Sequence, residues 1–517
     1  MIILYHNRNK ALYYYNSKNN TIKNCSEINI QKCLLNLAQQ FPKTLLIWCH
    51  NTLKDELNID KLSHIFHHKL IMASYSVSGD YVIAKEIGYV DQHCFINVKK
   101  NVTYPTWLMS SDVGGLYAEV IIKFTSHLNK RVSFDEFLCG IAKLTMCKGL
   151  ICYSEPNLIV NKKNNSKLKV DNNSYKLFRF VKKYYKIKWV FLLFLNQILY
   201  NNRLNIISLL KSLFFINNEK IDINLNDIKV SSIKNKVNKT DFKVDVLIPT
   251  LGRKEHLYNV LKDLAKQTLL PEKVIIVEQN GVENSTSNLD YLSSDWPFKI
   301  DHTFVHQLGA CNARNLALKK VTGNWVFFAD DDVRFEGDLL EKAFAYINQY
   351  NTSSITISCL QNGEIEKNTT PLQWYGFGTN ASLVESKYAK KCFFKQEHEF
   401  GYGEDTDYGM QLKNNGCDTI YIPNVKMLHL KAPIGGFRFK FKPLWNNDKI
   451  IPKPSPTIMA YNLKHLTNQQ FYGYKTILFI KFYSKQKIKN PIKYIKNMAL
   501  NWNKSEYWAK KIMGNEV

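Results

Sequence analysis

Residues 243–281 read "KVDVLIPTLGRKEHLYNVLKDLAKQTLLPEKVIIVEQNG", and this stretch decides the fold of the central part of the chain. Its opening, "KVDVLIPT", is typical of a buried strand that stops at Pro249. The next residues place Leu257, Val260 and Leu264 on one helical face. A second apolar run, "KVIIVEQ", ends in a turn. Strand, helix and strand at this spacing predict a βαβ unit and therefore a parallel sheet.

Three consecutive aspartates follow another apolar run in residues 324–335, "NWVFFADDDVRF". A helix is predicted before this run, from about Gly309 to Lys320. Adjacent carboxylates repel one another, so the triplet indicates either a solvated turn, where Asp is common, or a site for a divalent cation. Ligands of such sheets bind outside the carboxyl ends of the strands, and the triplet lies at one of those ends. This position favours the cation site.

Size and charge set the class of protein. A chain of 517 residues is too long for one hydrophobic core, so roughly two to four domains are expected. Its hydrophobic share of 45% and aromatic share of 13% indicate a folded protein rather than a disordered one. The balance of 70 Lys+Arg against 44 Asp+Glu gives a net charge of +26, which favours anionic partners such as nucleotides, phospholipid headgroups or nucleic acid.

The cysteines and the apolar runs bear on the compartment. The 11 cysteines are scattered singly, with no Cys-x-x-Cys pair, which argues against a zinc ribbon or a disulfide scaffold and indicates a reducing compartment. The opening "MIILYHNRNK" turns polar early, so no secretory signal is expected. The most apolar run, 189–200, is too short to span a bilayer. We expect a cytoplasmic protein, with peripheral contact to the inner face of the cell membrane left open.

Composition divides the chain into segments. Residues 1–160 alternate β-like and helical runs, which predicts an N-terminal α/β domain. Residues 177–216 mix apolar and basic positions at helical spacing, which predicts a helical connector whose apolar face either packs or anchors to a membrane. Residues 242–440 hold the βαβ unit and the aspartates, and 441–517 form a basic helical C-terminal extension. Polar stretches that predict loops separate these segments: 161–176 and 217–241.

Four motifs of the central segment resemble those of family 2 glycosyltransferases with the GT-A fold, and they occur in the family's order over about residues 242–435. "VDVLIPTLGRKEHLYNVLKDLAKQ" resembles the opening strand and helix, "LGACNARNLAL" the phosphate-side helix, "FADDDVRF" the D-x-D element and "GYGEDTDYGMQLKNNG" the E-D segment. The resemblance implies an α/β fold class: a GT-A nucleotide-sugar-binding domain with a mixed, mostly parallel sheet between helices. An additional N-terminal α/β domain and a basic helical tail flank it.

The same resemblance implies a cofactor and a donor. The cofactor is Mn²⁺ or Mg²⁺, which binds diphosphate oxygens and polarises the leaving group of a nucleotide-diphosphate sugar. Its implied protein ligands are Asp330, Asp332 and His429; the two aspartates alternate along an extended segment and can flank one cation. Asp331 is expected to point toward the ribose or the sugar. Further donor contacts are implied for residues near the first two strand ends and on the phosphate-side helix, beside Asp330 and Asp331: Thr250, Arg253, Glu278, Arg314 and Asn315.

Some of these residues have ordinary structural alternatives. We expect Arg314 and Asn315 to begin a helix whose N-terminal amides face anions, so that the guanidinium can bind a phosphate; a surface ion pair is the alternative. Thr250 can simply cap a helix while Arg253 stays solvated. At Glu278 the chain reads "EQNG", where the family commonly has an acidic turn ending in Gly-Ser, so its contact to the base or ribose is an open question.

The acceptor side rests on the E-D segment. An acceptor hydroxyl needs a general base, and the resemblance implies that Asp405 is that base and that Glu404 orients the acceptor. Carboxylates in the first turn of a helix are also ordinary capping residues. Trp374 and Tyr375, together with Gly403, are expected to form an acceptor-binding floor, although core packing suits the aromatic pair nearly as well.

The resemblance implies an inverting, metal-dependent glycosyltransferase, hexosyltransferase-like, that acts on a hydroxyl of a glycan or lipid-linked acceptor in cell-surface polysaccharide biosynthesis. The alternative is a non-catalytic sugar- or nucleic-acid-binding protein. Nucleic acid is not an expected partner, because the chain lacks runs of aromatics set in basic strands.

Both flanks carry a further hypothesis. Ten lysines lie among apolar residues in 472–517, which predicts a helical tail that either contacts anionic headgroups or is solvated. In the N-terminal domain, "FDEFLCGIAKLTMCKGLICYSEP" loosely resembles the acceptor half of a GT-A domain. That domain is therefore either a degenerate GT-A-like copy or an acceptor-recognition module.

Overall fold

The computed structural model describes residues 1–125, 132–161, 173–215, 223–233, 237–432 and 441–514. The chain divides into two compact units, one formed by 1–234 with 467–476 and the other by 235–466 with 477–517. Much of the two predicted polar loops, and most of the basic stretch that follows Lys431, lies outside the described residues.

The first unit is a mixed sheet with helices. Its strands are β1 Ile2–Asn7, β2 Lys10–Asn16, β3 Thr21–Asn24, β4 Leu45–His50, β5 Ile71–Tyr75, β6 Tyr104–Pro105, β7 Val113–Tyr117 and β8 Ile151–Ser154. Its helices are α1 Ile30–Gln40, α2 Ile59–Ile65, α3 Ala118–Ile122, α4 Phe134–Thr145, α5 Ser174–Tyr184, α6 Lys188–Asn201 and α7 Ile206–Leu213. The strands lie in the order β3-β2-β1-β4-β7-β5-β8-β6.

The second unit is also a mixed sheet with helices. Its strands are β9 Val244–Leu251, β10 Lys273–Gln279, β11 Lys299–Val305, β12 Trp325–Ala329, β13 Val333–Phe335, β14 Ser354–Gln361, β15 Leu372–Gln373, β16 Ala381–Glu385 and β17 Ile420–His429. Its helices are α8 Lys254–Ala265, α9 Ala310–Lys319, α10 Leu339–Tyr350, α11 Ser386–Ala389, α12 Glu404–Asn414, α13 Pro456–His465 and α15 Pro491–Ile512. Helix α14, Asn468–Tyr483, contributes residues to both units.

The predicted βαβ unit is present in the second sheet. Strands β9 and β10 are parallel with helix α8 between them, and β11 and β12 continue the parallel set. The remaining strands pair in both directions, giving the order β11-β10-β9-β12-β16-β14-β17-β13. The mixed α/β class predicted from the sequence is therefore confirmed. Parallel strands covered by helices are buried on both faces, which explains why β9 and β10 read as nearly continuous apolar runs.

A hydrophobic core on one side of this sheet fixes the elements that carry polar residues at its edge. Leu247, Val277 and Phe328 from the central strands pack in one cluster with Ala317 of α9 and Tyr408 of α12. Close packing of this kind sets the position of each helix against the sheet. As a result, the N-termini of α9 and α12 lie near the carboxyl ends of β9, β10 and β12.

The two sheets share a strand arrangement. The path β1-β4-β7-β5-β8 of the first sheet and the path β9-β12-β16-β14-β17 of the second have the same sequence of parallel, antiparallel, antiparallel and parallel pairings. In each, the helix before the last strand of the path, α4 or α12, begins with acidic residues. The sheets differ at their edges, since β1, β2 and β3 form antiparallel pairs whereas β9, β10 and β11 are parallel.

The units do not follow the predicted segment boundaries. The segment 177–216, expected to be a connector, supplies helices α5 to α7 of the first unit. Residues 467–476, from the expected C-terminal extension, also belong to that unit, whereas α13 and α15 belong to the second. Low-complexity stretches indicated loops, but they did not show which helices pack with which sheet.

Helix α12 is tied to helix α13 through Asp407, which is 1% exposed. One carboxylate oxygen accepts from Lys464 Nζ at 2.8 Å and lies 2.6 Å from His465 Nε2. The other oxygen accepts from Gln411 Nε2 at 2.6 Å. Burial raises the pKa of Asp407, but the surrounding histidine and lysine side chains outweigh it and hold the pKa well below its usual range. The carboxylate is thus charged and stabilising at neutral pH.

We expect Asp407→Asn to lower the free energy of unfolding by about 2 kcal/mol at neutral pH, because it leaves buried donors without their anion. A depressed carboxyl pKa gives stability that is present at neutral pH and lost on acidification, so the difference from wild type should shrink in acid. Urea unfolding at neutral and acidic pH measures this. Asp295→Asn, at an exposed aspartate, is the matched control. A constant difference at all pH values would contradict the role of the charge.

No helix in the described ranges combines the length and the apolar character needed to cross a membrane.

Candidate active site

A cavity of about 330 Å³ lies at the carboxyl edge of the second sheet. Parallel strands that end together bring their following residues to one place, which is where such sheets bind ligands. The polar lining comes from the ends of β9, β10 and β17, from the aspartates after β12 and from the starts of α9 and α12. It consists of Thr250, Arg253, Gln279, Arg314, Asp330, Asp331, Asp332, Thr379, Asn380, His398, Glu399, Glu404, Asp405 and His429.

Asp331, in the middle of the triplet, is bound to protein side chains. Thr250 Oγ1 donates to one carboxylate oxygen at 2.7 Å, and Arg253 Nη1 donates to the other at 2.5 Å. Burial raises the pKa of Asp331 to about 7, although Arg253 and Thr250 both lower it. Asp331 lines the cavity while both of its oxygens are bound to residues at and just after the end of β9, and its expected contact to a ribose or sugar stays a prediction.

Asp332 has a different environment. Its Oδ2 accepts from the Ala432 amide at 3.0 Å and lies 3.1 Å from Arg253 Nη1. Its Oδ1 is buried, receives no hydrogen bond within the described chain, and lies 3.4 Å from His429 Nε2. Burial raises the pKa of Asp332, but His429 and Arg253 outweigh it and the pKa falls to about 2. The Asp332 side chain is an ionised carboxylate whose Oδ1 accepts no hydrogen bond from the described residues.

The predicted metal ligands do not form a ready-made set. Among the described residues, no group of three or more His, Cys, Asp or Glu side chains is placed to hold a metal ion. Asp330 also lines the cavity and forms an ion pair with Arg314. Asp332 and His429 do lie together, and the unpartnered Oδ1 of Asp332 is a donor atom that a hard cation prefers. Because Mg²⁺ and Mn²⁺ take few protein carboxylates, these two residues fit such an ion when substrate oxygens complete its coordination.

Arg314 lies inside helix α9 rather than at its start. The helix begins at Ala310, so the predicted position of Arg314 and Asn315 at the helix N-terminus is wrong by one turn. Arg314 is 6% exposed and donates from Nη2 to Asp330 at 3.0 Å, while its Nε and Nη1 are buried and make no hydrogen bond to any described residue. Burial lowers the pKa of Arg314, but Asp330 and Asp405 outweigh it and raise the pKa. The guanidinium is a fixed cation with two unused donors.

The N-terminus of α9 is occupied by a residue that the sequence did not single out. The carboxylate of Glu399 accepts from the amides of Cys311 at 3.0 Å and Asn312 at 2.9 Å. A negative charge at this end of a helix is favourable. Gly309 makes room for it: its φ is +136°, and an added Cβ would lie 2.4 Å from the Glu399 carboxyl carbon. No local pattern marks Glu399, because its partners lie 87 or more residues away in the chain.

Glu404 and Asp405 begin helix α12 as predicted and both line the cavity. Thr379 Oγ1 donates to Asp405 Oδ1 at 2.6 Å, and burial raises the pKa of Asp405. Burial, followed by the charge of Asp405, raises the pKa of Glu404 to about 7 against the opposing effect of Arg314. Two neighbouring carboxyls with raised pKa values resist ionising together, so the pair retains a proton more readily than isolated acids do.

Several predicted residues do not reach the cavity. Within the described chain, its lining does not include Glu278, whose carboxylate lies 2.9 Å from His302 Nε2, and the next residue, Gln279, takes the place at the strand end. The Asn315 side chain donates to and accepts from the backbone of Phe394, at 2.7 and 2.8 Å. These two side chains stabilise the protein rather than face a ligand.

The expected acceptor floor is also absent from the described lining. Trp374 stacks on Tyr421 with ring centroids 4.4 Å apart, and Tyr375 is exposed. Gly403 does not line the cavity but caps helix α12 with a φ of +118°, where an added Cβ would lie 2.9 Å from His398 Nδ1. The alternative of packing, which the sequence left open for the aromatic pair, holds for Trp374.

We expect Glu404→Gln to remove a pH dependence of stability. A carboxyl whose folded pKa is raised from its ordinary 4.5 to about 7 stabilises below 4.5 and loses that contribution as the pH rises through 7. The variant should match wild type near pH 4.5 and exceed it by roughly 1–2 kcal/mol above pH 7, since the side chain is partly solvated. Urea unfolding across this range measures the difference. Glu283→Gln, at an exposed glutamate, should show none.

Proteins of known sequence that resemble this chain do so over a short stretch. An uncharacterized glycosyltransferase, YfnE, of Bacillus subtilis (strain 168) is 35% identical over 111 residues, which are 21% of this chain and 28% of that protein. The poly(ribitol-phosphate) beta-N-acetylglucosaminyltransferase TarS of Staphylococcus aureus (strain Mu50) is 24% identical over 117 residues, 22% of this chain and 20% of TarS. The match thus spans under a third of the length of either relative.

A solved structure with a similar arrangement is S. aureus TarS 1–349 in complex with UDP-GlcNAc, at 16% identity and a TM-score of 0.37. The superposition covers 53% of this chain and 92% of the TarS fragment. The family model of glycosyl transferase family 2 matches residues 245–408. This range runs from strand β9 to helix α12, and it includes the aspartate triplet and the Glu404-Asp405 pair. Residues 245–408 of the chain are a glycosyl transferase family 2 domain.

Proposed function

We propose that this protein is an inverting, metal-dependent glycosyltransferase. It moves a sugar from a nucleotide-diphosphate donor to a hydroxyl of a glycan or lipid-linked acceptor, in cell-surface polysaccharide biosynthesis. The observation that carries the proposal is that the aspartate triplet and the Glu404-Asp405 pair, 72 or more positions apart in the sequence, line one cavity in the family 2 domain. A GT-A assignment of this domain is part of the proposal.

The donor end of the cavity is assigned to the side of Arg314. A diphosphate carries negative charge, and the unused Nε and Nη1 donors of Arg314 suit its oxygens. Arg253, held by Asp331, adds a second guanidinium to the same lining. Arg314 is buried and Arg253 is partly buried, so their attraction to a phosphate is screened less than that of surface lysines.

A divalent cation would be held by Asp332, through its unpartnered Oδ1, and by His429. When bound, the cation supplies Lewis-acid stabilisation of the departing diphosphate. The neighbouring Asp332 carboxylate is the main cause of the raised pKa of His429, and the imidazole must release its proton before it can ligate a metal. Cation binding should therefore strengthen as the pH rises.

The general base of the proposed reaction is Asp405. Its carboxylate is fixed by Thr379 at the start of α12, and its raised pKa makes it a better proton acceptor than an ordinary aspartate. Glu404, next to it in the same helical turn, orients the acceptor hydroxyl. The same burial that strengthens the base also keeps water away from the reacting atoms.

The acceptor and the location of the protein are proposed from charge. A cytoplasmic enzyme that acts on lipid-linked saccharides must work at a membrane surface, and the lysines of α14 and α15 suit anionic headgroups there. Trp374 and Tyr375 are not proposed as acceptor contacts, since neither is among the described residues that line the cavity.

Nucleotide release from a panel of nucleotide sugars with Mn²⁺ tests the activity. We expect at least one donor to be consumed, and Asp405→Asn to reduce that rate by about 10²–10⁴-fold while donor affinity stays near wild type. Asp295→Asn is the control. If no donor is hydrolysed or transferred by the wild type, the non-catalytic sugar-binding alternative gains; if Asp405→Asn loses donor binding as well, Asp405 is not the base.

The metal assignment is tested by binding rather than by turnover. We expect Asp332→Ala to weaken Mn²⁺-dependent binding of nucleoside diphosphate by about tenfold or more, measured by calorimetry, because the cation loses its charged protein ligand. Binding without Mn²⁺ should change little. Equal affinities of variant and wild type in the presence of Mn²⁺ would remove Asp332 from the ligand set.

A further inference from the structure

Helices α6 and α7 of the first unit present an apolar surface to solvent. Phe191 is 50% exposed, Ile207 is 71% exposed and Phe214 is 80% exposed. Each helix exposes several large apolar side chains, and exposed apolar surfaces of this kind mark interaction sites. We call this surface the α6–α7 face; its members are Ile187, Phe191, Leu195, Ile198, Leu199, Leu204, Ile206, Ile207, Leu210 and Phe214.

The exposed side chains follow the helical period. In α6, Phe191, Leu195 and Leu199 are each four residues apart, so they lie on one side of the helix. The opposite side is buried and includes Val190 and Leu193. A helix that is apolar all round is normally covered on every side. Here one side is packed and the other is open, so packing accounts for only one side of the helix.

The packed side holds α6 firmly in the first unit. Asn196 is fully buried, and its Oδ1 accepts from Thr476 Oγ1 at 2.6 Å. Tyr200 stacks on Tyr472 with ring centroids 4.5 Å apart. The open side is thus displayed by a well-anchored helix.

The segment that carries this face has charges of one sign. Residues 173–215 contain no Asp or Glu and eight Lys or Arg. Two of these cations, Arg179 and Arg203, pair with Glu136 and Glu86 of the same unit. Exposed Lys186 and Lys188 precede the exposed apolar row of α6, and exposed Lys211 lies within that of α7. Apolar residues flanked by lysines with no acids are the pattern of helices that lie in the interface of anionic bilayers.

We propose that the α6–α7 face binds the surface of an anionic phospholipid bilayer, with its apolar residues in the headgroup boundary and its lysines at the phosphates. The face lies on the surface and does not span, since α6 has 14 residues and reaches only about 21 Å. A second copy of the chain is a poorer occupant, because it would bring the same cations against this face. This membrane site is independent of glycosyl transfer and distinct from the C-terminal helices.

Vesicle co-sedimentation of the full-length protein tests the proposal. The wild type should bind vesicles of phosphatidylcholine mixed with phosphatidylglycerol, and bind vesicles of phosphatidylcholine alone much more weakly. Replacing two exposed residues without adding charge, Phe191→Gln with Ile207→Gln, should lower partitioning onto the anionic vesicles by roughly tenfold. The matched control is Ile59→Gln, on helix α2 of the same unit and 51% exposed, which should bind as wild type does.

Two further experiments distinguish this proposal from membrane binding by α15 and from dimerisation. Ile495→Gln with Leu500→Gln alters exposed residues of α15, and the proposal is overturned if this variant loses vesicle binding while the α6–α7 variant keeps it. It is also overturned if sedimentation velocity shows a wild-type dimer that the α6–α7 variant dissociates with vesicle binding unchanged. Nucleotide binding to the soluble variant should equal that of wild type. Loss of nucleotide binding would indicate misfolding of the double variant. The single variant Phe191→Ser then replaces it and should also show lower partitioning onto anionic vesicles.

Discussion

Buried guanidinium groups make the acidic edge of the second sheet possible. Six carboxyls line one cavity there, and like charges at such distances in a protein interior would repel strongly if nothing lay between them. Arg253 is bound to Asp331 and lies near Asp332, while Arg314 is bound to Asp330 and lowers the pKa of Asp405. These ion pairs join the aspartates after β12 to the loop after β9 and to helix α9.

The carboxyls around these cations are divided by environment into two kinds. Asp332 is ionised and has a spare oxygen, which suits a cation. Glu404 and Asp405 have raised pKa values, which suits proton transfer. Neighbouring acids with pKa values pushed apart are the arrangement that acid–base chemistry requires. Asp331 differs from both kinds, since its pKa is raised although Thr250 and Arg253 bind both of its oxygens.

Sequence reasoning succeeded where the signal is local and failed where it is not. The βαβ unit, the triplet at a strand end and the acidic start of α12 could all be predicted, because period and spacing carry that information. Glu399 could not, since it meets the amides of α9 from a distant part of the chain. Asn315 and Trp374 were assigned to ligands because their residue types suit that role; only packing shows that Phe394 and Tyr421 are their partners.

The repeated strand path has a practical consequence for anyone who compares this chain with other enzymes. A superposition that relies on the backbone has two competing solutions, one for each sheet, and helix α4 will align with α12 in the wrong one. In the first unit, Asp135 accepts from the Ser111 amide and Glu136 caps its own helix. Both acidic side chains at the start of α4 therefore make structural contacts. The contacts of the acidic side chains, rather than the fit of the backbone, distinguish the two units.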